Sequence, residues 1–181
     1  MLRHARNVAR TTRAPLAPQI RAISPWDGFD LQQFIRDLSP ESRYSRFMMG
    51  IRELPDYVLE HFVHPDPDKE AVLVATSPSY DLIGLAQYIA DETGDGAEIA
   101  LVVADAWQRK GLGRKLLSDL IDVAADNGVV RIHADVLADN FQMRGLARKL
   151  GFSVRVKSGA PFLAEISRNV AGRKSASPVV H

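Results

Sequence analysis

Residues 98–127 read EIALVVADAWQRKGLGRKLLSDLIDVAADN, and the rest of the chain is organised around them. Ile99, Ala100, Leu101, Val102 and Val103 form an apolar run of strand length, followed by a short loop. Gln108, Arg109, Lys110, Gly111, Leu112 and Gly113 come next. From there apolar residues fall at 112, 116, 117, 120, 121 and 124, the spacing of a helix with one buried stripe. Strand, glycine-rich turn and helix in that order aim unpaired backbone N–H groups and the positive end of a helix dipole at an anion. Gly111 and Gly113 let the backbone approach that anion without a Cβ in the way. Arg109, Lys110, Arg114 and Lys115 bracket the turn with positive charge. The stretch predicts a pyrophosphate cradle.

The kind of pyrophosphate can be narrowed. No GxxxxGK[ST] string exists in the chain, and GxGxxG is incomplete because Leu116 stands where the third small residue belongs. The pattern that fits is Q/R-x-x-G-x-G/A, carried by Gln108, Gly111 and Gly113. These residues resemble the acyl-CoA loop of the GNAT N-acetyltransferases.

Two further stretches carry the same resemblance. Asn140 to Phe152, NFQMRGLARKLGF, is similar to the GNAT signature N-x-x-(A/M)-x-x-L-Y-x-K-x-G-F, whose asparagine contacts the pantetheine or phosphate part of CoA. The tyrosine of that signature, which commonly protonates the leaving thiolate, is Ala147 here. A thiolate leaves readily, since a free thiol has a pKa of about 8.5, so this loss is survivable. Glu98 heads the central strand where the histone-type and bacterial lysine acetyltransferase branches of the family place a glutamate general base. Upstream, residues 38–47 and 53–55 resemble the GNAT domain of bacterial protein lysine acetyltransferases, enzymes that silence acyl-CoA synthetases.

The resemblance covers roughly residues 19–167. It implies an α/β fold with a mixed, mostly antiparallel sheet, splayed central strands and helices on both faces. It implies acetyl-CoA as co-substrate, no metal, and direct transfer to a primary amine without a covalent intermediate. Backbone near Leu101, Val102 and Val103 would pair with pantetheine and polarise the thioester, and Glu98 would take the amine's proton. The expected acceptor is a protein lysine, such as one on an acyl-CoA synthetase. A small amine or polyamine is the alternative acceptor, and a non-catalytic acyl-CoA sensor the alternative class.

Composition sets the frame for these expectations. The 181 residues suffice for one domain with a real core, and 46% hydrophobic against 25% charged content is ordinary for a globular protein. No apolar run reaches the length of a membrane span. Without cysteine there is no disulfide, thiolate nucleophile or cysteine-held metal, which fits a cytoplasmic protein. Residues 1–18 hold four arginines and 168–181 three further cations, with no acid in either. The remaining 16 cations face 22 acids between 19 and 167, a net −6. Residues 53–105 alone hold twelve acids and one cation, Lys69, a field that would attract a cationic acceptor. An acidic body argues against nucleic acid as a partner. The chain is expected to act as a monomer or homodimer.

Read in order, residues 1–18 form a basic disordered tail with a superficial likeness to a mitochondrial presequence. Gln19–Ile23 is a strand. Ser24-Pro25-Trp26-Asp27 is a capping-box variant before a helix carrying Leu31, Phe34, Ile35 and Leu38. Ser39-Pro40-Glu41 opens a second helix to Phe47, and residues 53–62 a third. His61, His64, Asp66 and Asp68 straddle a helix end and proline turns, so no common face presents them to a metal. Residues 71–76 and 82–90 form a hairpin, Gly94–Gly96 a turn, and 131–137 a strand in which His133 reads as a packed or surface residue. Asn140 caps a helix ending at Gly151. Strands at 152–156 and 162–166 complete the sheet before a polar tail at 168–181.

Overall fold

A computed structural model describes residues 17–92 and 96–170. Most of both predicted tails, and the Gly94–Gly96 turn up to Asp95, lie outside those residues. The described chain runs β1 (Gln19–Ala22), a 3-10 turn (Pro25–Asp27), α1 (Gly28–Asp37), α2 (Pro40–Phe47) and α3 (Asp56–Val63). The hairpin β2 (Glu70–Thr76) and β3 (Leu82–Ala90) follows, then β4 (Gly96–Val103) and a second 3-10 turn (Asp105–Trp107). The rest is α4 (Leu112–Asp126), β5 (Arg131–Leu137), α5 (Phe141–Lys149), β6 (Ser153–Lys157) and β7 (Ala160–Asn169).

The strands make one seven-stranded sheet in the order β1-β2-β3-β4-β5-β7-β6. Every neighbouring pair is antiparallel except β4 with β5. That parallel ladder holds only three rungs, Gly96↔Arg131, Ala97↔Ile132 and Glu98↔His133. Beyond Glu98 and His133 the two strands part, because β4 stays paired with β3 as far as Val103 and β5 stays paired with β7 as far as Leu137. The expected splay is therefore present, and its apex lies at Glu98.

Strand alternation divides the core in two. Ile99, Val103, Ile132, Ala134 and Ile166 face α4 and α5, where Leu116, Leu117 and Leu120 are fully buried. Burying side chains of that size stabilises the fold by about 1.5–3 kcal/mol each. Val72, Val74, Leu85 and Val102 face the other way, against Leu31, Phe34 and Ile35 of α1 and Phe62 of α3.

The caps form largely as the sequence predicts. Ser24 and Asp27 make a reciprocal capping box, although it closes a 3-10 turn before α1 begins at Gly28. Asp27 also takes two hydrogen bonds from Arg21, at 2.6 and 2.7 Å. That pairing holds its carboxyl below the ordinary value against the opposing effect of burial. Helix α3 starts at Asp56 rather than Glu53, because Pro55 occupies its N-cap and Glu53 pairs with Arg36 instead. Strand β7 runs to Asn169 and Val170 is buried, so the first residues of the predicted polar tail belong to the sheet.

Candidate active site

The glycine-rich turn is built as an open helix start. Gly111 is the N-cap of α4, at φ 90, and it has no side chain with which to cap the helix. The first helical bond of α4 is Lys115 N–H to Gly111 C=O at 3.1 Å, which leaves the N–H groups ahead of it without helical acceptors. Arg109 is also left-handed, at φ 60, so the turn combines two positive-φ residues within three positions. A Cβ at Gly111 would meet nothing within 4 Å, whereas one at Gly113 would touch Val103, Leu101 and Leu146 at 3.6–3.7 Å. Gly111 thus supplies the backbone geometry of the turn, and a Cβ at Gly113 would make only ordinary contacts with β4 and α5. Of the four cations, Lys115 is tied to Asp119 at 2.8 Å and Lys110 lies 5.6 Å over the Trp107 ring. Arg109 and Arg114 are exposed.

Gln108 is committed elsewhere. Its Nε2 donates to Val103 C=O and to Ser42 Oγ, both at 3.0 Å. Asp105, in the turn just before it, accepts from Ser39 N–H at 2.9 Å, Ser39 Oγ at 2.7 Å and Ser42 Oγ at 2.8 Å. Desolvation pushes the Asp105 carboxyl up, but these donors outweigh it and hold the group below its ordinary value. The glycine-rich turn is therefore strapped to the start of α2. Val102 turns its backbone toward Leu85 of β3, and Val103 C=O is taken by Gln108, which leaves Leu101 as the strand residue with both backbone groups to offer along the gap.

Asn140 caps α5 by accepting from Met143 N–H at 2.9 Å, so its oxygen serves the helix. Ala147 is fully buried among core residues. A tyrosine there would overpack the core.

At the apex of the splay Glu98 is exposed, not partly buried as a base tuned by burial requires. It lines an open trough of about 330 Å3 with Arg131, His133, Asp135, Lys157 and Glu165. The trough occupies the half of the sheet face built from β5, β7 and β6, beside the half on which α1–α3 pack. Asp135 pairs with Lys157 at 2.6 Å and Glu165 with Arg131 at 2.8 Å. The Asp135 bond raises the Lys157 ammonium above its ordinary value.

A polar chain, buried at Glu70 and Gln87, half-buried at Arg46 and open to solvent at His61, approaches Glu98 from under α2. Arg46 donates to Gln87 Oε1 at 3.1 Å, Gln87 donates to Glu70 Oε2 at 3.2 Å, and His61 Nε2 lies 3.3 Å from the same Glu70 oxygen. The guanidinium sits 4.8 Å from the Phe47 ring centre and 5.7 Å from that of Phe62. Burial pushes Arg46 down to about 10, with the charge of Glu98 pulling back upward. His61 and His64 are thus engaged by Glu70 and Glu60. Among the described residues no cluster of three potential metal ligands occurs, and no helix is long and apolar enough to cross a membrane.

Comparison with known proteins agrees with this geometry. The crystal structure of the GNAT domain of S. lividans PAT superposes with a TM-score of 0.78 at 27% identity, covering 84% of this chain and 90% of that one. The acetyltransferase PA5475 of Pseudomonas aeruginosa is 32% identical over 136 residues, 74% of this chain and 73% of its own length. The acetyltransferase Pat of Mycolicibacterium smegmatis is 32% identical over 117 residues, but these span 35% of its length. Residues 32–152, from α1 to the entry of β6, match the sequence profile of the acetyltransferase (GNAT) family. The uncapped turn before α4 and the parting of β4 from β5 fall inside that match, and the chain belongs to the GNAT acetyltransferase family.

Proposed function

We propose that the protein transfers the acetyl group of acetyl-CoA directly to the side-chain amine of a protein lysine. The observation that carries this reading is the placement of Glu98. It stands where β4 and β5 separate, at the opposite end of β4 from the open N-terminus of α4, and it faces a trough wide open to solvent. An open trough suits an amine presented on another protein's surface, whereas a free polyamine is better held by a closed pocket.

Acetyl-CoA supplies an activated acetyl thioester. The N–H groups before Lys115 and the exposed Arg109 and Arg114 would hold its pyrophosphate. Backbone of Leu101, on the β5 side of β4 beyond the last rung, would align pantetheine and polarise the thioester carbonyl. A lysine at pH 7 keeps its proton with a pKa of about 10.4, so exposing the lone pair costs roughly 4.6 kcal/mol. Glu98 stands where a base is needed, and attraction of the ammonium to its carboxylate adds to binding.

The reading is tested by incubating the protein with acetyl-CoA and a panel of acceptors that includes an acyl-CoA synthetase, lysine peptides and spermidine. Thiol release and mass spectrometry of the acceptor report transfer. Acetylation of a protein lysine is expected. Turnover of spermidine alone would move the enzyme to the small-amine class. Tight CoA binding with no transfer to any amine would make it a sensor.

A further inference from the structure

Glu98 does not stand alone on its face of the sheet. Its register partner on β5 is His133, at the last rung before the strands part, and in a parallel pair such partners project to the same side. Both side chains line the same trough. His133 Nε2 lies 3.2 and 3.3 Å from the two oxygens of Asp91. A carboxylate only accepts, so Nε2 carries the hydrogen and the neutral ring keeps its lone pair on Nδ1.

The Asp91 carboxylate has a place made for it. A Cβ on Gly96, the first residue of β4, would fall 2.1 Å from Asp91 Oδ2. The absence of a side chain at 96 lets Asp91 lie over the strand start and reach His133. Asp91 N–H, meanwhile, donates to Gly96 C=O at 2.8 Å.

We propose that His133, oriented by Asp91, is a second base of this acetyltransferase and takes the first proton of the acceptor ammonium. The proposal rests on the acetyltransferase reading above and adds a residue to it. An imidazole is about two units more basic than a carboxylate, and so is the better of the two groups for an ammonium donor. The groups facing it are Glu98 on β4, Asp91 before β4, Arg131 and Asp135 on β5, Lys157 on β6 and Glu165 on β7. Asp135 and Glu165 are occupied by Lys157 and Arg131, which leaves Asp91 and Glu98 as the carboxylates free to act with the ring.

The proton count closes with two bases. The ammonium gives one proton to His133 Nδ1, and the freed amine attacks the thioester carbonyl. As the C–N bond forms, Glu98 takes the second nitrogen proton. It passes to the sulfur as the C–S bond breaks, in the absence of a tyrosine at 147. His133 returns its proton to solvent, so the products are an amide, CoA thiol and one released proton.

Two measurements test this on the full-length protein. In the first, NMR of histidine-labelled protein reads the His133 tautomer with no acceptor present. The neutral ring should carry its proton on Nε2, and that preference should weaken in Asp91→Asn and Gly96→Ala. A proton on Nδ1, or a tautomer preference unmoved by both changes, overturns the proposal. In the second, kcat/KM against pH is followed with acetyl-CoA and a lysine-bearing peptide. His133→Gln should lose roughly 10²-fold near neutrality. Gly96→Ala and Asp91→Asn should lose part of that rate, while acetyl-CoA affinity stays unchanged by calorimetry. If His133→Gln melts early, Asp91→Asn carries the kinetic test without touching β5. A wild-type profile in His133→Gln beside a crippled Glu98→Gln would sink the second base and leave the acetyltransferase reading standing. If the wild type fails to turn over the peptide, the lysine acceptor reading falls and the NMR result alone decides the dyad.

Discussion

Gly111→Ala isolates the backbone geometry of the cradle from its packing. The added Cβ meets nothing within 4 Å, so the change has no steric component. Its whole effect comes from φ 90, which costs an L-residue about 1–2 kcal/mol. In the free protein the turn can relax by rotating the peptides around 111, which swings the open N–H groups away from the anion site. Binding must then restore the strained form, and 1–2 kcal/mol corresponds to a roughly 5–30-fold loss of acetyl-CoA affinity. Gly128 provides a matched control at the other end of α4, with φ 82 and equally open space around a Cβ. Gly128→Ala should lower the melting temperature by about 2–8 °C and leave affinity alone. Gly113→Ala, whose Cβ would make ordinary contacts with Val103, Leu101 and Leu146, should also bind normally. Isothermal calorimetry with acetyl-CoA on the three variants decides the matter. Equal affinities for Gly111→Ala and Gly128→Ala would refute the cradle.

Three further expectations follow from the polar contacts. Asp105→Ala removes three hydrogen bonds to Ser39 and Ser42, should destabilise by about 1–2 kcal/mol, and should raise KM for acetyl-CoA a few-fold as the turn loosens from α2; an unchanged melting curve would contradict the strap. Arg46→Met replaces an enclosed cation with an apolar chain and should change stability by under about 1.5 kcal/mol, whereas Arg46→Ala, which opens a cavity between Phe47 and Phe62, should cost clearly more in denaturant melts. The Asp27 carboxyl, held low in the folded state by Arg21, stabilises the protein at any pH above its unfolded value of about 3.9, and that stability is lost as pH falls through the folded value; Asp27→Asn should flatten the acid limb of a melting-temperature profile.

The sheet and helices were legible because local signals agreed with the fold. Apolar runs bounded by turn residues placed β3 and β5 at their observed bounds, and the serines at 24 and 39 and Asn140 cap where the sequence set them. Glycine spacing located the uncapped turn before α4. What the sequence hid depends on contacts across elements. Gln108 looks like a cofactor residue in the motif, but its amide is bound to Ser42, 66 positions away. His133 reads as an ordinary strand residue until Asp91, 42 positions distant, and Glu98 on the neighbouring strand are placed around it. Gly96 had one available signal, a glycine just outside an apolar run, which can mark a close approach of other atoms. Glu98 was found by resemblance, while its exposure needed the half-open sheet face to be known.

The central claim is that Glu98 removes a proton from the acceptor amine. Glu98→Gln keeps the shape of the side chain and removes its basicity. With acetyl-CoA and a lysine-bearing acceptor, kcat should fall roughly 10²–10⁴-fold. Acetyl-CoA affinity should stay within a few-fold of wild type, and the residual rate should climb with pH as the amine deprotonates by itself. A mutant with wild-type kcat across the pH range would contradict the account, and proton removal would then belong to another group.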